Sequence, residues 1–309
     1  MANGKYCTLV GTELFLPEDW TEDQERCKNA GIPKEKQVFQ TKPQLALALI
    51  KQAVAANVDF DFIAGDGLYG HNSELSRSLD KMGLFYVLDV HKDETIFLTE
   101  PTFSVPERKS NKGIAPTKVQ PSVKPIQLQE YIKSLSKEDF TRENVRQTAK
   151  GWKVADVHTV TVWHWDGNEE KAQKRTLVIT KSEKIKYSLS NGNVEDYDNK
   201  KWAYFQCCRY WVERCFDDCK NELGMSGYQV TGWLGWQHHM ALVLMASLYV
   251  LSVKLEQKNE MPLLSVRDAR LLVIAINFAT QKEVDICMAH IEKRHRQRQA
   301  DIDRYYKKI

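Results

Sequence analysis

The sequence has little net charge and no hydrophobic run long enough to cross a bilayer. Its 44 Lys and Arg nearly balance 41 Asp and Glu, which leaves a net charge of +3 over 309 residues. This balance excludes a histone-like polycation, so any contact with nucleic acid must come from local basic patches. The longest apolar run, residues 240–253, is shorter than the roughly 20 residues of a spanning helix. We therefore expect a buried core helix there and no membrane partner.

Cysteines are few, odd in number and unevenly placed. Four of the seven lie between residues 207 and 219, which does not form a disulfide framework. Free thiols are typical of the reducing cytosol, and the N-terminus lacks the basic and apolar regions of a signal peptide, so we expect a cytoplasmic protein. A zinc site that combines Cys208, Cys215 and Cys219 with His238 and His239 is the alternative to packed thiols, but the spacing matches no compact Cys-x2-Cys site.

The first third of the chain has the pattern of an α/β layer. Apolar residues predict a strand over residues 6–16, followed by a short helix that ends near residue 29 and an Ala- and Leu-rich helix over 44–57. Predicted strands over 60–65 and 84–90 flank a helix over 73–82. Strand, helix and strand with short connections indicate a parallel βαβ unit.

Prolines are scarce outside one segment. Five of the nine lie in residues 101–125 together with five Lys or Arg, which predicts an extended basic linker. A short helix over 128–135 and strands over 154–165, 175–180 and 184–189 follow. The remaining pattern predicts helices over 199–223, 236–253, 262–279 and 283–308. We therefore expect an α/β segment over 1–98, a linker and β-rich insertion over 99–196, and a helical region over 197–309.

Asp66 follows the predicted strand over 60–65, in the sequence GDGLYG. Ligands and catalytic groups gather at the carboxyl ends of strands in open α/β sheets. Gly65, Gly67 and Gly70 leave the backbone bare enough for close approach by a phosphate or a metal ion. An Asp after a strand is also a common turn residue, so the pattern alone leaves both interpretations open.

The predicted helix over 199–223 carries a stripe of polar residues. Its members recur every three or four residues and so share one helix face: Gln206, Arg209, Glu213, Asp217 and Lys220. A carboxylate can bind a divalent cation, while Arg and Lys neutralise phosphate oxygens. A solvated face with ordinary ion pairs has the same pattern. The basic residues of 290–309 likewise fit either a DNA backbone contact or a solvated terminal helix.

The segments GDGLYG, RYWVERCFDDCKNELGM and YQVTGWLGWQHHMALVLMA resemble those of the DDE transposases of bacterial insertion sequences. Arg209, Glu213 and Lys220 match the spacing of the Tyr-x2-Arg-x3-Glu-x6-Lys class, and Gln206 stands where that class has Tyr. The segments LFLPEDW, VFQTKPQLA and RHRQRQADIDRYYKK also look like family segments. The resemblance therefore extends over essentially the whole chain.

The resemblance implies an α/β fold with an RNase H-like catalytic core, a β-rich insertion and a C-terminal helical region. It also implies Mg²⁺-dependent strand cleavage and strand transfer at transposon ends. By similarity, Asp66 and Glu213 are the second and third acids of a catalytic triad that binds two divalent ions, Mg²⁺ or, as a substitute, Mn²⁺. Arg209 and Lys220 would bind phosphates beside the scissile bond. The implied partners are double-stranded DNA, both transposon ends and target, and a second copy in a synaptic homodimer.

The first acid of the family triad has no counterpart in the sequence. In the family it lies on the first core strand, ahead of the segment that residues 6–16 resemble. We therefore expect an N-terminally truncated core that lacks its first strands and has impaired catalysis. Two alternatives stay open: a non-catalytic transposase remnant that binds DNA or intact transposase, and an RNase H-like nuclease with another substrate.

Overall fold

The computed structural model describes residues 1–106, 117–167, 169–229 and 231–306. They form a mixed α/β structure. The helices are α1 (Glu18–Glu22), α2 (Gln24–Asn29), α3 (Lys42–Ala55), α4 (Gly67–Gly70), α5 (Ser73–Lys81), α6 (Leu128–Ser134), α7 (Asn199–Cys207), α8 (Tyr210–Glu222), α9 (Trp233–Glu256), α10 (Val266–Phe278) and α11 (Gln281–Tyr306). The strands are β1 (Ile63–Gly65), β2 (Tyr86–Val90), β3 (Thr95–Ile96), β4 (Phe103–Ser104), β5 (Gln120–Pro121), β6 (Ile126–Gln127), β7 (Thr141–Thr148), β8 (Gly151–His164), β9 (Gln173–Lys181) and β10 (Ile185–Ser190).

The chain groups into two compact units. The helical unit contains Met1–Asp59, Gln147–Trp152 and Tyr210–Ile309, and the sheet unit contains Phe60–Arg146 and Lys153–Arg209. The division into segments 1–98, 99–196 and 197–309 stays a prediction.

The sheet unit is built on six strands in the order β1-β2-β10-β9-β8-β7. The first two strands are parallel, with Ile63 paired to Tyr86 and Gly65 to Leu88, and α4 and α5 lie between them in the chain. This pairing confirms the predicted βαβ unit. Strand β10 then pairs antiparallel with β2, so the strands of the predicted β-rich segment continue the same sheet.

Both faces of this sheet are covered. In β9, Leu177 and Ile179 join a buried cluster that includes the apolar residues of α6. The intervening Val178 packs on the opposite side against Trp202 and Phe205 of α7. Because side chains alternate across a strand, the three consecutive apolar residues 177–179 bury both faces of β9.

The helical unit has its core where α9, α10 and α11 meet. The buried members of this core are Val250, Leu264, Val266, Ala269, Leu272 and Ile291. Beside it, the fully buried Asp268 forms ion pairs with Arg294 and Arg298 at 2.7 and 2.5 Å. Two arginines of the basic terminal helix therefore hold α11 against α10.

The strand predicted over residues 6–16 is wrong. The described pairing in this region is an isolated bridge between Ala2 and Cys7. Instead, Cys7 and Leu9 pack against α8 and α9, and the Thr8 hydroxyl lies 2.9 Å from that of Ser247. Cys7 and Leu9 are therefore half-buried without sheet pairing, whereas Val10 is exposed.

The predicted linker is partly paired. Strands β4 and β5, at its two ends, form a short antiparallel ladder in which Phe103 pairs with Pro121. Residues 107–116, with Arg108, Lys109 and Lys112, lie outside the described residues.

The helix predicted over 236–253 is present as α9, but the expectation that it is mostly buried is wrong. Its buried residues are Met240, Val243, Ser247 and Val250, which recur every three or four positions and form one face. Leu242 and Met245, among others, are exposed. Within the described part of the chain, α9 is long and apolar enough to cross a membrane by length and composition alone, a test that core helices of soluble proteins also pass.

Candidate active site

Asp66 lies at the carboxyl end of β1 and caps α4. Its Oδ1 accepts a hydrogen bond from the backbone N–H of Leu68 at 3.0 Å. This bond satisfies one of the amides that the first turn of a helix leaves without a partner. The side chain is exposed, so the carboxylate is also accessible to a ligand.

The glycines that follow Asp66 allow α4 to lie directly on β2. A Cβ at Gly70 would be 1.9 Å from the backbone oxygen of Asp89, and a Cβ at Gly67 would be 2.7 Å from Cε1 of His91. A side chain at Gly70 would clash with backbone and does not fit, whereas one at Gly67 would have to displace the exposed His91 ring. We interpreted these glycines from the sequence as room for a phosphate or metal ion, whereas here they make room for the neighbouring strand and its side chains.

Asp89 is a second carboxylate at the same end of the sheet, and sequence analysis missed it. The register pairs Gly65 with Leu88, and the residues that follow this pair on the two parallel strands are Asp66 and Asp89. Residues in register on neighbouring strands point to the same face. The sequence does show an acid within the apolar run LFYVLDV. Only the strand register shows that this acid lies beside Asp66.

The pKa of Asp89 is raised above its ordinary value, chiefly by burial. A hydrogen bond from Ser188 and the charges of Lys186 and Arg209 act in the opposite direction, while the nearby charge of Asp66 raises the pKa further. The effect of Asp66 is repulsion between like charges at one end of the sheet. A bound cation would relieve it.

Arg209 forms an ion pair with one of these two acids, Asp89. Its Nε lies 3.4 Å from Oδ2 of Asp89. The arginine occupies a two-residue break between α7, which ends at Cys207, and α8, which begins at Tyr210. The continuous helix predicted over 199–223 is therefore wrong. The backbone N–H of Cys208 is shared between the carbonyls of Tyr204 and Phe205, the tightening typical of a helix end.

Gln206 does not share a solvent-facing stripe with Arg209, because it is buried with an exposed fraction of 3%. Its Nε2 donates to Ser188 Oγ at 2.8 Å, and Ser188 Oγ in turn donates to Asp89 Oδ1 at 2.6 Å. The Thr180 hydroxyl donates to the Gln206 amide oxygen. A chain of hydrogen bonds thus runs from α7 through Ser188 to Asp89 and fixes that carboxylate.

Glu213 and Lys220 lie on α8 in the helical unit, and both are exposed. Seven residues, close to two helical turns, separate them, so they share a face as predicted. Asp66 and Arg209 belong to the sheet unit. The structure therefore groups Asp66 with Asp89 and Arg209, and Glu213 with Lys220, while the close approach of Asp66 to Glu213 stays a prediction.

The donor set for a metal ion is incomplete within either unit. Among the described residues, no group of three or more His, Cys, Asp or Glu side chains is placed to hold an ion. Asp66 and Glu213 each offer an exposed carboxylate. Asp89 is already engaged by Ser188 and Arg209.

A cluster of histidines around Glu94 lies next to α4 and was also missed. Glu94 contacts Nδ1 of His71, the residue after α4, at 2.8 Å and Nε2 of His164 at 2.9 Å. Burial raises the pKa of Glu94, but the bonds to His164 and His71 outweigh it and lower the net pKa. These residues come from separate segments, so no local motif could have indicated the cluster. It fixes the loop that follows α4.

An exposed carboxylate at a strand end, a second acid beside it and an arginine within reach are typical of sites that act on phosphodiesters. The family model described as DDE superfamily endonuclease matches residues 1–152, just under half of the chain. The match includes Asp66 and ends before Arg209, Glu213 and Lys220. It supports a DDE transposase or nuclease family and, at that coarse level, an enzyme that acts on DNA; such nucleases generally use divalent metal ions. A search of curated proteins found no match.

Proposed function

We propose that this protein is a transposase of a bacterial insertion sequence with an RNase H-like core. It would cleave DNA at transposon ends and join the 3′ ends to target DNA, acting as a homodimer on double-stranded DNA. The family match supports the nuclease class. The finer proposal depends on the residues that resemble the Tyr-Arg-Glu-Lys class.

One observation carries the proposal: Arg209 of that motif contacts Asp89, the register neighbour of Asp66. Arg209 and Asp66, which lie far apart in sequence, are therefore both neighbours of Asp89. If the Arg209–Asp89 ion pair were only structural, it would not require the exposed carboxylate of Asp66 beside it.

Each residue has a role in the proposed reaction. Asp66 and Glu213 would hold divalent ions, Mg²⁺ or Mn²⁺, which would supply activation of the attacking hydroxyl and stabilisation of the leaving oxygen. Arg209 and Lys220 bind the phosphates beside the scissile bond. Asp89 holds Arg209 in place, and its pKa, raised chiefly by burial, is raised further by the charge of Asp66.

A second candidate function is a non-catalytic remnant that binds DNA or intact transposase. It is favoured by the finding that the described residues form no group of three metal-binding side chains. Two-metal cleavage needs a carboxylate that bridges both ions. We therefore propose that strand cleavage by this chain alone is weak, even where metal and DNA bind.

Metal binding tests the proposed site directly. Mn²⁺ is titrated into the full chain and free Mn²⁺ is followed by electron paramagnetic resonance. Asp66→Asn and Glu213→Gln should each weaken binding at least tenfold. Asp217→Asn is the matched control, because Asp217 is exposed on α8 one turn after Glu213. Mn²⁺ affinity that is equal in Asp66→Asn and the wild type would refute the shared site.

Cleavage of DNA that contains the terminal repeats flanking the gene separates the two functions. We expect the wild-type chain to bind this DNA in a salt-dependent manner and to nick it only slightly above the Asp66→Asn background with Mn²⁺. Robust nicking that Asp66→Asn abolishes would favour the complete enzyme. Binding without any nicking above that background would favour the remnant.

A further inference from the structure

Three cysteines, one near the N-terminus and two on α8, pack together inside the helical unit. Cys215 and Cys219 of α8 are buried together with Val243 of α9, and the half-buried Cys7 packs against them. Cys7, Cys215 and Cys219 also line one cavity of this unit. The cysteines are free, so a reactive thiol pair lies where the N-terminal segment meets α8.

The residues on either side of Cys7 hold it in register with α8 and α9. The Thr8 hydroxyl lies 2.9 Å from that of Ser247, and Lys254 Nζ lies 5.7 Å from the centre of the Tyr6 ring. The N-terminal amino group donates to the Thr8 carbonyl at 2.8 Å. Both neighbours of Cys7 are therefore anchored, which keeps Cys7 beside α8 without a covalent bond.

A cavity of about 100 Å³ opens beside the pair. A water molecule occupies about 30 Å³ in the liquid, so the cavity has room for a small polar reactant. Its polar lining includes the charged groups Lys5, Arg214, Asp218 and Lys254. Of these, Lys254 favours the Cys7 thiolate and Asp218 opposes it.

Cys7 has the properties of a nucleophile in this setting. The hydrogen bond from Cys215 and the charges of Lys254 and the N-terminus lower the pKa of Cys7 to about 7, against the effects of burial and Asp218. A thiol with a pKa near ambient pH combines a large thiolate fraction with good nucleophilicity. Cys27, in contrast, is fully buried in the same unit and its thiol donates to the Trp20 carbonyl.

We propose that Cys7 and Cys215 form a peroxide-driven redox pair, with Cys7 as the attacking and Cys215 as the resolving thiol. The Cys7 thiolate attacks one oxygen of hydrogen peroxide, the O–O bond breaks, and hydroxide leaves and takes up a proton to give water. The Cys215 sulfur then attacks the Cys7 sulfenic acid, the S–O bond breaks, and a second water leaves with the Cys215 proton. Two thiols and one peroxide yield one disulfide and two waters.

Cys215 is assigned as the resolving thiol because Cys7 packs against the cluster that contains it and because the Cys215 thiol lowers the pKa of Cys7. A link between Cys215 and Cys219 is disfavoured, since residues one turn apart in a helix have Cβ atoms about 5–6 Å apart, farther than a disulfide allows. The Cys7–Cys215 bond would fasten the N-terminal segment to α8, the helix that carries Glu213 and Lys220. The proposal does not depend on the function proposed above.

Mass spectrometry of the full-length chain tests the pair. Reduced protein is treated with hydrogen peroxide, quenched with N-ethylmaleimide and digested with trypsin. The disulfide would join the peptide of residues 6–26 to that of residues 215–220. We expect this product to be at least tenfold more abundant than any linked pair that contains Cys27 or Cys287.

Two variants identify the partner of Cys7, because residues 215–220 contain both candidate thiols. Cys219→Ser should retain the linked product. Cys215→Ser should lose the linked product and leave a Cys7 sulfenic acid that dimedone traps. Cys7→Ser should lose both the linked product and the dimedone adduct. Because Cys7 is only half-buried, the Cys7→Ser variant keeps the test available if Cys215→Ser fails to fold. Loss of the link in Cys219→Ser, a Cys215–Cys219 product, or full maleimide labelling of Cys7 after peroxide would overturn the proposal.

Discussion

Arg209 Nε lies 3.4 Å from Oδ2 of Asp89, so the break between α7 and α8 is tied to the strand that runs beside Asp66. The contact sets a cation against a half-buried carboxylate that already accepts a bond from Ser188. Without a cation nearby, a carboxylate with this burial would favour its neutral form. Arg209 therefore helps to determine the charge next to Asp66.

Replacement of Arg209 by Gln should raise the pKa of Asp89 further above its ordinary value. A positive neighbour favours the ionised carboxylate, and burial then acts with less opposition. The pKa can be followed by carbon NMR of labelled Asp side chains across a pH titration. Arg214→Gln is the matched control, because Arg214 pairs with Asp218 at 2.7 Å and not with Asp89. An unchanged or lower Asp89 pKa in Arg209→Gln would contradict the contact.

Gly70→Ala should destabilise the protein, because the added Cβ would lie 1.9 Å from the backbone oxygen of Asp89. Either α4 or β2 must move, and overpacking of this kind costs about 1–3 kcal/mol. Urea unfolding measures the loss as a lower midpoint at an unchanged slope. Gly227→Ala is the control: a Cβ there meets nothing within 4 Å, so we expect a change within about 0.5 kcal/mol. Equal midpoints for the two variants would contradict this account.

Local patterns predicted the elements whose apolar residues face the sheet. The βαβ unit was predictable because β1, α5 and β2 each carry a complete signal in a few consecutive residues. Strand β7 was not, since its sequence TRENVRQT is mostly polar and exposed. It is held at the sheet edge by backbone pairing, which leaves no hydrophobic pattern to detect.

Periodicity also concealed the break at Cys208–Arg209. The spacing of three or four residues between polar side chains is maintained across the two non-helical residues. The sequence therefore suggests one continuous polar face, although Gln206 is buried. Asp89 and Glu94 were missed because their partners are distant in sequence: Ser188 binds Asp89, and His164 binds Glu94. Such contacts depend on which strands pair and in what register, and local sequence patterns do not reveal either.

Gln206→Tyr restores the residue of the Tyr-Arg-Glu-Lys class but should destabilise this protein. Gln206 is buried, and its amide satisfies the hydroxyls of Thr180 and Ser188. A phenol is larger and cannot replace both bonds, so we expect a loss of roughly 1–3 kcal/mol in urea unfolding. Val212→Tyr, at an exposed site of α8, should cause little change. A Gln206→Tyr variant as stable as the wild type would show that the site adapts to the family residue.

Asp268→Asn should destabilise the helical unit in a pH-dependent way. Asp268 is fully buried and binds Arg294, Arg298 and Ser265. Burial raises the pKa of Asp268, but the hydrogen bonds and charges of these partners outweigh it, so the folded pKa lies below the ordinary value. The folded protein therefore prefers the ionised form.

A lowered folded pKa fixes the sign of the pH dependence. The stabilisation is fully present above the unfolded pKa of about 3.9 and is lost as the pH falls through the folded pKa. Removal of one partner from a buried ion pair costs roughly 3–5 kcal/mol. Urea unfolding at pH 7 should therefore show a difference of this size in the free energy of unfolding between wild type and Asp268→Asn. The difference should become smaller below about pH 4. Asp301→Asn, which removes an exposed pair with Arg304 at 3.5 Å on α11, should cost less than about 1 kcal/mol. A gap of equal size at pH 7 and pH 3 would mean that the carboxylate charge is not what stabilises the contact between α10 and α11.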